Sequence, residues 1–98
     1  MSGLSLAITD RMTPDPLRSV YVLRSVSNPE RHYVGITASM RGRLEWHNAG
    51  PCGYTAAHRP WRLLVQLEFA DEQTARRFER YLKSGSGRAF AKRHFGTG

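Results

Sequence analysis

Arg43 and His47 stand four residues apart in the stretch HYVGITASMRGRLEWHNAG, residues 32–50. On a helix that spacing puts both on one face, with Met40 and Leu44. Two groups able to carry positive charge on the side that faces a sheet can be structural hydrogen-bonders. They can also be half of a site that cleaves a phosphodiester. Just before them lies Tyr33-Val34-Gly35, where the glycine would let a phosphate or a neighbouring backbone approach closely.

Glu79 is the second unusual residue. It lies four residues after Ala75 and three before Leu82, so on a helix it borders the apolar stripe. A carboxylate there needs a partner, because an unpaired charge is expensive to bury. An Arg would be a structural partner. A divalent cation, which prefers carboxylate and water oxygens, would be a functional one. Tyr21 and Tyr33 fall on consecutive strands and share a face if those strands form a hairpin. Strand tyrosines mostly pack with one polar tip; beside a metal, a phenol can orient or deprotonate a water.

The elements that must position these residues read as follows. SVYVLRSV is β-branched and aromatic and predicts a strand over 18–26. SNPER supplies a turn, and HYVGIT is the antiparallel return strand, 32–37. Ser39 can cap a helix over 40–48 and Gly50 can stop it. Residues 50–60, GPCGYTAAHRP, read as a loop. WRLLVQLEF, 61–69, places apolar residues at Trp61, Leu63, Val65, Leu67 and Phe69, which predicts a strand with one buried face. Asp71 can cap a helix over 72–83 with Ala75, Phe78 and Leu82 inward; SGSG breaks it, and 88–95 suggests a short basic third helix. The expected fold is α+β, a small antiparallel three-stranded sheet flanked by helices in the order β-β-α-β-α-α. Residues 1–17 read as a flexible leader, 18–95 as one domain and 96–98 as a tail.

Ninety-eight residues suit one domain. Fifteen Lys and Arg against eight Asp and Glu give a formal charge of +7. That balance favours an anionic partner, and nucleic acid is the commonest. Thirteen of the fifteen basic residues are Arg, whose planar fork binds phosphate in bidentate fashion. Thr55, Arg59, Lys83, Arg88, Lys92 and Arg93 are candidates to line a substrate groove. Cys52 is the only cysteine, so an internal disulfide is excluded, which fits a reducing cytoplasm. No apolar run approaches membrane-spanning length, and the N-terminus lacks the features of a signal peptide. His32, His58 and His94 have no metal-ligand spacing.

Taken in order, these segments resemble the GIY-YIG nuclease domain, in particular its small stand-alone bacterial members. VYVLRS stands at the first motif and HYVGIT at the second, with residues 23 to 32 between them. SMRGRLEWHNAG resembles the arginine-bearing helix, and TAAHRPWRLLVQLEF with TARRFERYLKSGSGRAF resembles the closing strand, glutamate helix and tail. The first motif departs from the family at Val20 and Val22 but keeps Tyr21. Many members carry a late asparagine, where this chain offers Arg88 and Lys92.

The resemblance implies metal-dependent hydrolysis of nucleic-acid phosphodiesters, with DNA favoured over RNA, using one Mg²⁺ or Mn²⁺. It implies catalytic roles for Tyr21, Tyr33, Arg43, His47 and Glu79. Glu79 would hold the metal, Arg43 a phosphate oxygen, and Tyr21, assisted by His47 or Tyr33, would activate the attacking water. The alternative expectation is a nucleic-acid-binding module with weak or no cleavage.

Overall fold

Val20, Tyr21, Val22 and Leu23 form an unbroken apolar run, and all four are buried. A strand with one wet face alternates; a continuous run requires cover on both faces. The fold supplies that cover. The computed structural model describes residues 15–49 and 53–97, and β1 (Ser19–Ser25) is the middle strand of its three-stranded antiparallel sheet. β2 (His32–Thr37) lies on one side of it and β3 (Trp61–Glu68) on the other.

Four helices flank the sheet among the described residues. α1 (Met40–Ala49) and α2 (Gly53–Ala57) follow β2, and α3 (Glu72–Leu82) and α4 (Gly85–Phe95) follow β3. Two clusters divide the core. Val20 and Val22 pack with Ala75, Leu82 and Ala91 from α3 and α4, extended by Phe69, Phe78 and Phe90. Tyr21 and Leu23 point the other way and pack with Trp61, Tyr33, Met40 and Leu44. The α+β class, the three-stranded antiparallel sheet and the element order agree with expectation.

The caps form as their residue types suggest. Thr74 N donates to Asp71 Oδ1 at 2.7 Å and fixes the start of α3. Ser39 accepts from Gly42 N through its hydroxyl and from Arg43 N through its carbonyl, starting α1. The Thr37 hydroxyl accepts from Ser39 N and donates to Ser39 O, so the end of β2 is tied directly to the start of α1.

Four details correct the expected elements. First, β3 does not bury one regular face. Its pairing with β1 slips between Val22, opposite Val65, and Leu23, opposite Leu63, leaving Leu64 as an extra residue in a bulge. The bulge hands the apolar series from one face to the other. Trp61 belongs to the Tyr21 cluster, Val65 and Leu64 belong to the Val20 cluster, and Leu63 is exposed. Second, the segment read as a loop over 50–60 contains the short helix α2. Third, α4 begins at Gly85 rather than at 88, with Ser84 as its cap and the glycines inside its first turn. A Cβ on Gly87 would lie 1.7 Å from the Tyr81 carbonyl oxygen, so the glycine lets α4 start against the end of α3. Fourth, Leu17 is not loose: its N–H donates to Glu72 Oε1 at 2.9 Å. The rest of the expected leader up to residue 14, the stop at Gly50, and Cys52 lie outside the described residues.

Candidate active site

Strand register decides which expected site residues meet. In the β1–β2 hairpin Tyr21 faces Gly35 and Leu23 faces Tyr33, so the two tyrosines are diagonal neighbours on one face. Their ring centroids are 6.2 Å apart. A Cβ on Gly35 would fall 2.3 Å from the Tyr21 hydroxyl. The glycine therefore makes room for the Tyr21 phenol itself, not for a phosphate or a second backbone as its position alone suggested.

α1 closes over this pair. The Tyr21 hydroxyl and His47 Nε2 are 2.9 Å apart in a buried hydrogen bond. The His47 ring centre lies 4.6 Å from that of Tyr33, and its Nδ1 is buried with no partner among the described residues. Asn48, the next residue, holds the end of α1 to the sheet. Its Nδ2 donates to the Trp61 carbonyl at 3.0 Å while its Oδ1 accepts from Trp61 N. That two-way clamp sets the rotation of α1, and with it the aim of Arg43 and His47. An Asn directly after the site histidine, near a helix end, is the sequence signal that reading for chemistry alone passes over.

Arg43 and His47 share a helix side but not an environment. His47 is 1% exposed. Arg43 is half-buried, and its guanidinium carbon sits 5.0 Å from the centre of the Trp46 ring. Glu79 approaches from the other helix layer, on α3. Its side chain is 15% exposed, and its partner is Lys83, one turn on, rather than an Arg. Lys83, expected in a substrate groove, is thus paired with the expected metal ligand. Arg88, Lys83, His32 and Tyr33 line an open depression of about 360 Å³ between β2 and α4.

The electrostatics tie these groups together. Burial raises the Tyr21 pKa well above the ordinary phenol range; Tyr33 and Glu79 push in the same direction, and Arg43 opposes them. Burial, then Arg43, lowers the His47 pKa. At neutral pH the pair is therefore a neutral phenol against a neutral imidazole. Both Arg43 and Glu79 stand near enough for their fields to reach the Tyr21 hydroxyl.

The remaining candidates scatter. Arg59, Arg88, Lys92 and Arg93 are exposed, and Arg59 donates to the Ala49 carbonyl at 3.3 Å. Thr55 does not belong to a surface groove. It is 3% exposed, and its carbonyl accepts from Trp61 Nε1 at 2.8 Å, so it supports the tryptophan that Asn48 clamps.

Residues 18–93 match the model of the GIY-YIG catalytic domain. The chain belongs to this family. GIY-YIG is a nuclease, and so a hydrolase, family, which implies nucleic acid as the partner. A search of curated proteins finds no match. Among the described residues no helix is long and apolar enough to cross a membrane, and no three or more His, Cys, Asp or Glu cluster to hold a metal ion. GIY-YIG nucleases are generally divalent-metal dependent. Glu79 fits such a role as a single, mostly shielded carboxylate, because Mg²⁺ is commonly held by one or two carboxylates, with waters and substrate phosphates completing its shell.

The His47 environment gives a pH dependence of stability. Its folded-state pKa lies below the ordinary value of 6.5, so the unfolded chain takes up the proton first on acidification. Stability is full above pH 6.5 and falls as the pH drops below it. Melting temperature measured from about pH 8 to about pH 5 should therefore decline on the acid side, and His47→Asn should flatten that decline. His32 is lowered as well, by burial and then Arg24, so part of the slope persists in the variant. Equal slopes in variant and wild type would contradict the burial of a neutral His47.

Proposed function

We propose that this protein is a divalent-metal-dependent endonuclease that hydrolyses nucleic-acid phosphodiesters, with DNA as the preferred substrate, in the cytoplasm. One observation carries the reading: the buried Tyr21–His47 hydrogen bond, built over a glycine, with Arg43 and Glu79 both acting on the phenol. A core that needed only packing would place Phe at Tyr21 and an aliphatic residue at His47, and would save the cost of an unpartnered Nδ1.

Glu79 would hold Mg²⁺ or Mn²⁺, which offsets charge on the phosphate and the leaving oxygen. Arg43 binds a non-bridging phosphate oxygen through its fork. Tyr21 takes a proton from the attacking water as it passes its own to His47 Nε2. A neutral imidazole whose pKa is held low is a ready acceptor only while it stays unprotonated, which the burial of His47 favours. Tyr33, half-buried with its ring tilted against that of His47, would orient the water on the solvent side. Gly35 keeps the Tyr21 phenol in place, and Arg59, Lys83, Arg88 and Lys92 serve as phosphate contacts along the surface.

The Lys83–Glu79 ion pair favours a second reading, a nucleic-acid-binding module with weak or no cleavage, because a lysine already answers the carboxylate. An incision assay on labelled single-stranded and duplex DNA and RNA, with Mg²⁺, Mn²⁺ or EDTA, separates the two. Metal-dependent cleavage of DNA supports the nuclease. Tight binding without incision under every metal condition supports the module.

Binding itself should depend steeply on salt and little on base sequence. The +7 charge supplies phosphate contacts, each of which releases counterions. With about five contacts, affinity falls several hundredfold between about 50 and about 200 mM salt. A flat log–log plot would rule out phosphate-driven binding.

A further inference from the structure

Trp46 lies on α1 outside both core clusters and is 40% exposed, whereas Trp61 is 3% exposed. Its indole is not idle surface. The Arg43 guanidinium stands over it, and the His47 ring meets it edge-on at 5.1 Å. Trp46 and Arg43 together form one wall of an open depression of about 390 Å³. Leu17 and Ala38 add apolar surface to the rest of it, beside Thr37, Ser39 and the bare backbone of Gly42. A volume in the range of roughly 300–1,000 Å³ suits one small ligand. Phosphate chemistry on Arg43 and a flat aromatic face beside it describe the two ends of a nucleotide.

The geometry points to a site for one unpaired nucleotide: its base stacks on Trp46 while its phosphate meets Arg43. This deepens the nuclease reading and rests on it for the role of Arg43. In a duplex the base faces are already stacked on one another, so only an unpaired base can offer its face to an indole. Stacking on an aromatic side chain is tolerant of sequence, because every base has a π-face. The substrate class is therefore nucleic acid with an unpaired nucleotide beside the cleaved bond, rather than uniform duplex.

The test is binding by fluorescence anisotropy in EDTA, where no cleavage occurs. The probes are a single-stranded DNA 12-mer, the same sequence as RNA, a blunt duplex, and that duplex with one bulged nucleotide. Wild type should bind the single-stranded and bulged probes more tightly than the blunt duplex. Trp46→Ala should lose about tenfold on those probes and under about twofold on the duplex, while Trp46→Phe keeps most of the affinity. The DNA and RNA arms show which sugar the site accepts. Equal losses on paired and unpaired probes, or no loss at all, would overturn the stacking site. Trp46-dependent preference for unpaired probes, in a protein that cuts nothing when metal is added, would overturn the nuclease reading alone. Melting curves of both variants confirm that the exposed side chain was removed without unfolding.

Discussion

Glu79→Gln should abolish the proposed metal-dependent cleavage and leave the fold standing. Gln keeps the shape of the side chain but removes the charge that a hard cation requires. Losing several kcal/mol of charge stabilisation in the transition state lowers the single-turnover rate by roughly a thousandfold or more. The structural cost is small by comparison. The change breaks the Lys83–Glu79 pair, but Lys83 is 54% exposed, and an i,i+4 pair of this kind contributes about 0.3–0.5 kcal/mol at most. For a domain of this size that is under about 4 °C in melting temperature. Wild type in EDTA and the variant in Mg²⁺ should fall to the same floor, and Mn²⁺ binding followed by electron paramagnetic resonance should weaken in the variant. A variant that cleaves within a few-fold of wild type would remove Glu79 from the metal site.

Gly35→Ala should damage stability and activity together. The added Cβ would lie 2.3 Å from the Tyr21 hydroxyl oxygen and 2.5 Å from the ring carbon that bears it. Tyr21 is 2% exposed, so its ring has no free space to retreat into. Either the hairpin spreads or the phenol leaves His47. Overpacking of this kind costs about 1–3 kcal/mol, and a buried hydrogen bond left half-made costs about 1–3 kcal/mol more. The melting temperature should fall by roughly 10 °C or more, with the cleavage rate per folded molecule falling too. Gly42→Ala is the control. Its added Cβ meets only the Ser39 hydroxyl, at 3.5 Å, and Ala in a helix gains up to about 1 kcal/mol over Gly. A Gly35→Ala protein as stable as the Gly42→Ala protein and as active as wild type would show that the close approach to Tyr21 carries no weight.

Strand and helix identities were legible because they depend on local pattern. The run Val20–Leu23 and the stripe Ala75, Phe78, Leu82 each announce their element and the faces it buries. What stayed hidden depends on pairing. The alternation in WRLLVQLEF implied one face, but the bulge at Leu64 arises from register against β1, which no single segment encodes. The five residues of α2 are too few to show a helical period. SGSG read as a break because glycine is a poor helix former, whereas Gly87 is used for its missing Cβ against Tyr81. At the site, residue types pointed to Tyr21, Tyr33, Arg43, His47 and Glu79, but not to Tyr21 bonding His47 or to Lys83 answering Glu79. Thr55 illustrates the limit: a residue in a polar-looking stretch is buried, and its carbonyl accepts from the Trp61 indole.

β1 is paired along both edges and covered on both faces, and Tyr21 rides on it. Its amides can meet solvent only when the whole domain opens, so their exchange with deuterium should report the global unfolding free energy rather than any local breathing. The proposed chemistry should thus have no loosened form in which the scaffold survives and the phenol wanders. Heat should extinguish cutting and structure at a single midpoint. Room to retune substrate preference without touching that strand lies on the outer surfaces of α1 and α3, whose exposed positions can change while the sheet stays closed.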